Sequence, residues 1–148
     1  MISAQDLIEK ILARSTTDDC IVVVKDKTQA NLRWASSTLT TNGVIQERSV
    51  TVIAFIAMNE SMAAGAVTRT NVDESDVDAL LSEAKSAALA SGPAEDYAPL
   101  ARDVSFGDWR APHVPTGPDV FAKFAPELGE MMRRSGANFA KTSGPVGT

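Results

Sequence analysis

The chain has 148 residues, 44% hydrophobic and 22% charged, the proportions of one globular domain that buries roughly two-thirds of its unfolded surface. Fourteen basic against nineteen acidic residues leave a net charge of −5, which excludes a fold-wide basic footprint for nucleic acid and disfavours an anionic membrane surface. No apolar run reaches the roughly 20 residues that span a bilayer; the longest, Val50 to Met58, is interrupted by Thr51.

The first helix is marked by Ser3 as N-cap, with Asp6 three residues on and Ile2 placed to staple onto Leu7. Leu7, Ile8, Ile11 and Leu12 recur at helical spacing, and the segment Ser15 to Asp19 ends the helix. A strand-rich block follows. Cys20 to Val24 is a continuous apolar, largely β-branched run, which predicts a strand covered on both faces. In Gln29 to Ala35, Ala30, Leu32 and Trp34 alternate with Asn31 and Arg33, the pattern of a half-buried strand. Asn42-Gly43 predicts a hairpin turn, with Val44 to Glu47 leading outward from it. Val50 to Ile56 reads as the central, most buried strand; Met58 to Ala64 reads as a turn and Gly65 to Thr68 as a short further strand.

A second helix is predicted from Asp73, capped with Asp76 at the third position and stapled from Val72 to Val77. Its apolar positions Val77, Leu80, Leu81, Ala84, Ala87 and Ala88 end in alanines, which lets the helix approach its neighbour closely. Gly92-Pro93 terminates it. Residues 93–118 form a Pro-rich connector, and a third helix near Pro118 carries Val120, Phe121, Phe124, Leu128, Met131 and Met132, with Pro126 kinking or splitting it. These elements predict an α+β fold, an antiparallel sheet of four to five strands with helices packed on one face. The expected organisation is a core over 1–92, the connector 93–118, a helix over 119–134 and a loose tail over 135–148.

The side-chain inventory restricts chemistry more tightly than the fold does. His113 is the only histidine and Cys20 the only cysteine, 93 positions apart, so no two-histidine metal motif exists within the chain. A lone cysteine forms no internal disulfide, and the N-terminus lacks the cationic-then-apolar pattern of a secretory signal; a reduced, cytoplasmic protein is expected. Cys20 is read as core packing and His113 as an exposed loop residue.

Three strings resemble the N-terminal domain of the TldD/PmbA (modulator of DNA gyrase) metallopeptidases, nearest the actinobacterial PmbA-like type: Asn31-Leu32-Arg33-Trp34-Ala35, Thr38-Leu39-Thr40-Thr41-Asn42-Gly43 and Ser49-Val50-Thr51-Val52-Ile53-Ala54. Gly65 to Arg69, the helix from Asp73, Gly92 to Asp96 and Val120 to Glu130 continue the likeness to about Arg134. The resemblance implies a cytoplasmic, non-catalytic part of a heterodimeric proteolytic system, in which a TldD-like partner holds zinc and peptides or unfolded segments are cleaved. The family's zinc ligands, a His-Glu motif and a distant cysteine, match nothing here, so no catalytic, cofactor-binding or metal residue is carried over and no cofactor is expected in this chain. Relative to that family the sequence reads as truncated, without the C-terminal domain. The rival reading is a non-enzymatic interaction module or a truncated remnant.

Candidate peptide or partner contacts are Arg33, Arg48 and Arg69 on or beside strands, and Phe121, Phe124 and Met131 on the third helix. An outward row of arginines would hold a carboxylate, and solvated sheet-face charges are the plainer alternative. Trp34, sharing a side with Leu32, reads as core. Asp73 to Asp78 reads as helix capping; its spacing fits no calcium loop. The apolar third helix predicts self-association, alongside a TldD-like subunit and peptide as partners, with no nucleic acid and no membrane.

Overall fold

The structure, a computed structural model, describes residues 2–35, 38–102 and 107–142. Its elements in chain order are α1 (Ala4–Arg14), β1 (Asp19–Ala35), β2 (Thr38–Met58), β3 (Ser61–Thr70), α2 (Val77–Ser91) and α3 (Phe124–Thr142). The fold is α+β, with an antiparallel sheet in the order β1-β2-β3 and, among the described residues, a further bridge from Ala63 to Pro93 beside β3. Segments expected as separate strands merge. Gln29 to Ala35 continues β1, and Val44 to Glu47 runs on into the central strand β2. The chain forms two compact units, one of Met1–Lys27 with Glu47–His113 and the other of Thr28–Gln46 with Val114–Thr148.

The first unit holds the core. Ser3 caps α1 by accepting from the Asp6 amide at 3.0 Å, which sets Leu7 and Ile11 on the buried face. Asp73 and Asp76 form a reciprocal capping box at a 3-10 turn, Glu74–Asp76, that feeds directly into α2. Val72 and Val77, predicted as a staple, both join the core. From β2 come Val50, Val52 and Ala54, alternating inward at period two, and from α2 come Val77, Leu80, Ala84 and Ala88. Each fully buried Leu, Ile or Val contributes about 2 kcal/mol from the loss of apolar contact with water. Cys20, Val22 and Val24 pack against this cluster from β1, whereas Val23 is 51% exposed. The expectation that Cys20 to Val24 is covered on both faces is therefore corrected. β1 is an edge strand whose helices lie on one side, and its β-branched run reflects strand propensity rather than two-sided burial.

Close approach of α2 to β3 organises this unit. Gly65 faces α2, and a Cβ built on it would lie 2.6 Å from the Ala88 Cα and still nearer the peptide between Ala87 and Ala88. Only glycine allows that contact, and the alanines at 84 and 88 keep the facing helix surface shallow. Gly92, at φ 72, then ends α2.

Two expectations about turns are redistributed. Asn42-Gly43 lies inside β2, not in a turn. Gly43 faces Asn31 across the ribbon, and pairing along β1 outweighs the local turn preference. The tight turn instead falls at Asn59-Glu60, where Met58 pairs with Ser61 and Asn59 adopts φ 55, a left-handed conformation asparagine tolerates.

In the second unit the third helix divides as Pro126 suggests. A 3-10 turn, Pro118–Phe121, precedes α3, and Pro126 sits in the first turn of α3, where its missing N–H has no intrahelical partner to lose. α3 continues to Thr142, past the expected end at Arg134, and residues 143–148 of the expected tail lie outside the described residues. Gly129 of α3 meets Trp34 of β1, whose ring edge would stand 3.0 Å from a Cβ added there.

Replacing Gly65 with alanine is expected to destabilise the fold by about 3 kcal/mol, because overpacked backbone has no side chain to move aside. Urea unfolding of G65A followed by circular dichroism checks this, and G43A, in the looser ribbon, serves as the milder control.

Candidate functional site

The six candidate contact residues divide between the units. Arg48 and Arg69 belong to the first. Arg69 pairs directly opposite Val50, and Asn71 donates its amide to the Arg48 carbonyl at 2.8 Å, so both arginines lie on the helix-covered side of the sheet at its margin. They do not form an outward row. The side chain of Arg48 is only 11% exposed; its guanidinium clasps Asp26 through Nε and Nη2 at 2.6 and 2.8 Å and donates to the Ile2 carbonyl at 2.8 Å. That fork ties β2 to β1 and to the segment entering α1. The Arg48 hydrogen bonds hold the Asp26 carboxyl below its ordinary value, with a smaller contribution from His113, and Asp26 raises Arg48 in turn. Arg69 pairs with Glu83 of α2. Both residues are thus occupied within the chain, and neither presents a free fork to a carboxylate.

Arg33, on β1 in the second unit, is exposed, while Ala30, Leu32 and Trp34 on the alternate positions are half-buried. The alternation expected for Gln29 to Ala35 holds at Arg33 but not at Asn31, which is half-buried like its neighbours. Trp34 is half-buried as well, and its indole Nε1 is buried with no hydrogen-bond partner among the described residues. On the helical segment Phe121, Leu128 and Met132 are half-buried, whereas Phe124 and Met131 are 56% and 58% exposed. Glu130 on the same helix receives Arg133 and Arg134 at 2.7 to 2.8 Å, which draws its pKa down to about 2.

Sequence reasoning missed a property that no residue type announces. β3 pairs with β2 only from Ser49 to Met58. Among the described residues, Thr38–Gln46 therefore has β1 on one side and no strand on the other, and β1 is itself an edge. The second unit also supplies none of the fully buried hydrophobic residues of the described chain, all of which lie in the first unit. Exposed Leu39, Val44 and Ile45 on β2 and Val120 near α3 add to this open surface. The second unit thus presents backbone edges and exposed apolar side chains among the described residues.

His113 is exposed, and Cys20 is half-buried on β1, with burial pushing its thiol above the ordinary value. Among the described residues no three His, Cys, Asp or Glu side chains gather as a metal set. A depression of about 480 Å³ beside α1 is lined by Ile2, Asp6, Glu9, Lys10 and Ala13. Its charges are already paired: Lys10 with Glu74 at 2.6 Å, and Glu9 and Asp6 with Arg110 at 3.0 and 3.7 Å. No described helix is long and apolar enough to cross a membrane. Comparison with protein-family models, curated proteins and solved structures finds no match.

The Asp26–Arg48 pair sets a pH dependence. The folded Asp26 pKa is depressed below 3.8, so its stabilisation is complete above that value and is lost as pH falls through the lower, folded value. Asp26→Asn is expected to lower stability at neutral pH and to flatten the loss of stability below about pH 4. Urea midpoints of both proteins between pH 2.5 and 7 check it, and parallel curves would contradict the assignment.

Proposed function

We propose that this chain is the N-terminal, non-catalytic domain of a TldD/PmbA-like metallopeptidase subunit, which helps to shape an intersubunit cavity and guides peptide toward a zinc site in a TldD-like partner. The observation that carries the reading is the order of its three resembling strings, Asn31 to Ala35, Thr38 to Gly43 and Ser49 to Ala54, which occupy the neighbouring strands β1 and β2. The open outer edge of β1 supports a route for substrate: an extended segment adds to Gln29 to Ala35 through main-chain hydrogen bonds, with exposed Arg33 beside it. This mode is tolerant of sequence, as handling of unfolded segments requires, because backbone groups supply the affinity. With one histidine and one cysteine, the chain leaves hydrolysis to the partner.

A second reading, an interaction module outside any peptidase, is favoured by the exposure of Phe124 and Met131 on α3. A peptidase assay with added zinc separates the two. Cleavage is expected only when a TldD-like subunit is present, and the interaction module predicts no change on mixing. Activity of the chain alone would overturn both. Successive N–H groups of a strand point to opposite edges, so of prolines placed at Asn31 and at Leu32 one removes an outward donor and the other a donor to β2. The variant that loses the outward donor is expected to weaken peptide binding about tenfold, the effect of one or two lost hydrogen bonds. Unchanged affinity in both variants, with the fold intact by circular dichroism, counts against the edge route.

A further inference from the structure

We infer that Thr38–Gln46 of β2 is a self-pairing edge, through which two copies of this chain join antiparallel about a two-fold axis at Asn42. Nothing in this inference depends on the peptidase reading. Strand β3 leaves β2 at Ser49, so the nine residues before Glu47 carry one open row of backbone donors and acceptors among the described residues. Natural edge strands are blunted by charge, proline or bulges. This one contains no ionisable residue and no proline between Thr38 and Gln46.

What an open edge accepts is another extended backbone, and the side-chain order identifies that backbone as a second copy. A two-fold axis at Asn42 sets Leu39 opposite the partner's Ile45, and Thr40 opposite the partner's Val44. These two pairs set apolar or β-branched residues against each other on both faces of the strand, while Thr41 meets Gly43 and Thr38 meets Gln46. Leu39, Val44 and Ile45 are 42%, 41% and 53% exposed in the single chain, and Asn42 is exposed at the axis, where two amides exchange hydrogen bonds.

Charge favours the same occupant. Although each chain carries −5, the paired segments bring no like charges together. The nearest acid along β2, Glu47, would stand about 33 Å from its symmetry mate at 3.3 Å per residue, well beyond the ~8 Å screening length at physiological salt. The result is a continuous sheet in the order β1-β2-β2-β1, with both outer β1 edges still open.

Light scattering at submillimolar concentration is expected to give twice the 15.7 kDa of one chain. Asn42→Lys places two like charges opposite each other at the axis and is expected to weaken the dimer by about tenfold or more; Asn42→Asp acts the same way. Mixing N42K with N42D is expected to restore a dimer, a rescue that shows both variants are folded and that the axis lies at this residue. Val44→Asp, one pair removed, gives a second loss if N42K does not fold. A wild-type chain that stays monomeric overturns the proposal. So does a dimer insensitive to N42K and V44D; if Met131→Arg abolishes that dimer instead, the seam belongs to α3.

Discussion

The contact on which the first unit depends is the approach of α2 to β3, backbone against backbone, at Gly65 and Ala88. A helix normally stands off a sheet by the depth of its side chains, but Ala84 and Ala88 contribute almost none. The reduced spacing brings Val77 and Leu80 down onto Val50 and Val52 of the central strand. It also aligns β3 along Ser49 to Met58, since the inward face of β3 includes Ala63 and Gly65 at alternate positions. A one-residue slip would turn Ala64 and Ala66 toward the helix, where backbone contact admits no Cβ.

Ion pairs occupy the margin of that core rather than its centre. Arg48 binds Asp26 and the Ile2 carbonyl, Arg69 binds Glu83, and Arg110 reaches the acids of α1. No charged side chain is buried among the described residues, so charge here locates segments and adds little to net stability. The Asp26–Arg48 fork is the most enclosed of these pairs, and its three hydrogen bonds join elements far apart in sequence.

The two units differ in kind. The first carries nine basic and sixteen acidic residues around a closed core; the second carries five and three, around elements with no fully buried hydrophobic residue among those described. A two-stranded ribbon alone is marginal in water, and the uncharged β2 edge of this one is receptive to an additional strand. Such a surface offers backbone donors and acceptors together with exposed apolar side chains. The same distribution accounts for both proposals: peptide on the β1 edge and a second copy on the β2 edge.

Much of this was legible from residue order. Ser3, the Asp73–Asp76 box, the Val72–Val77 staple, the buried alternation of Val50, Val52 and Ala54, and the Gly92 stop are all local codes, satisfied within a turn or two of chain. The scarcity of histidine and cysteine likewise restricted the chemistry before any fold was known. Strand continuity was not legible. Asn42-Gly43 has the strongest local turn preference, yet cross-strand pairing with β1 holds it extended. Nor does the sequence record that Arg48 and Arg69 have partners, because Asp26 and Glu83 lie 22 and 14 positions away. Local propensity acts over a few residues and was readable from order alone. Pairing, burial and edge exposure depend on which distant segments meet, and only the folded chain decides them.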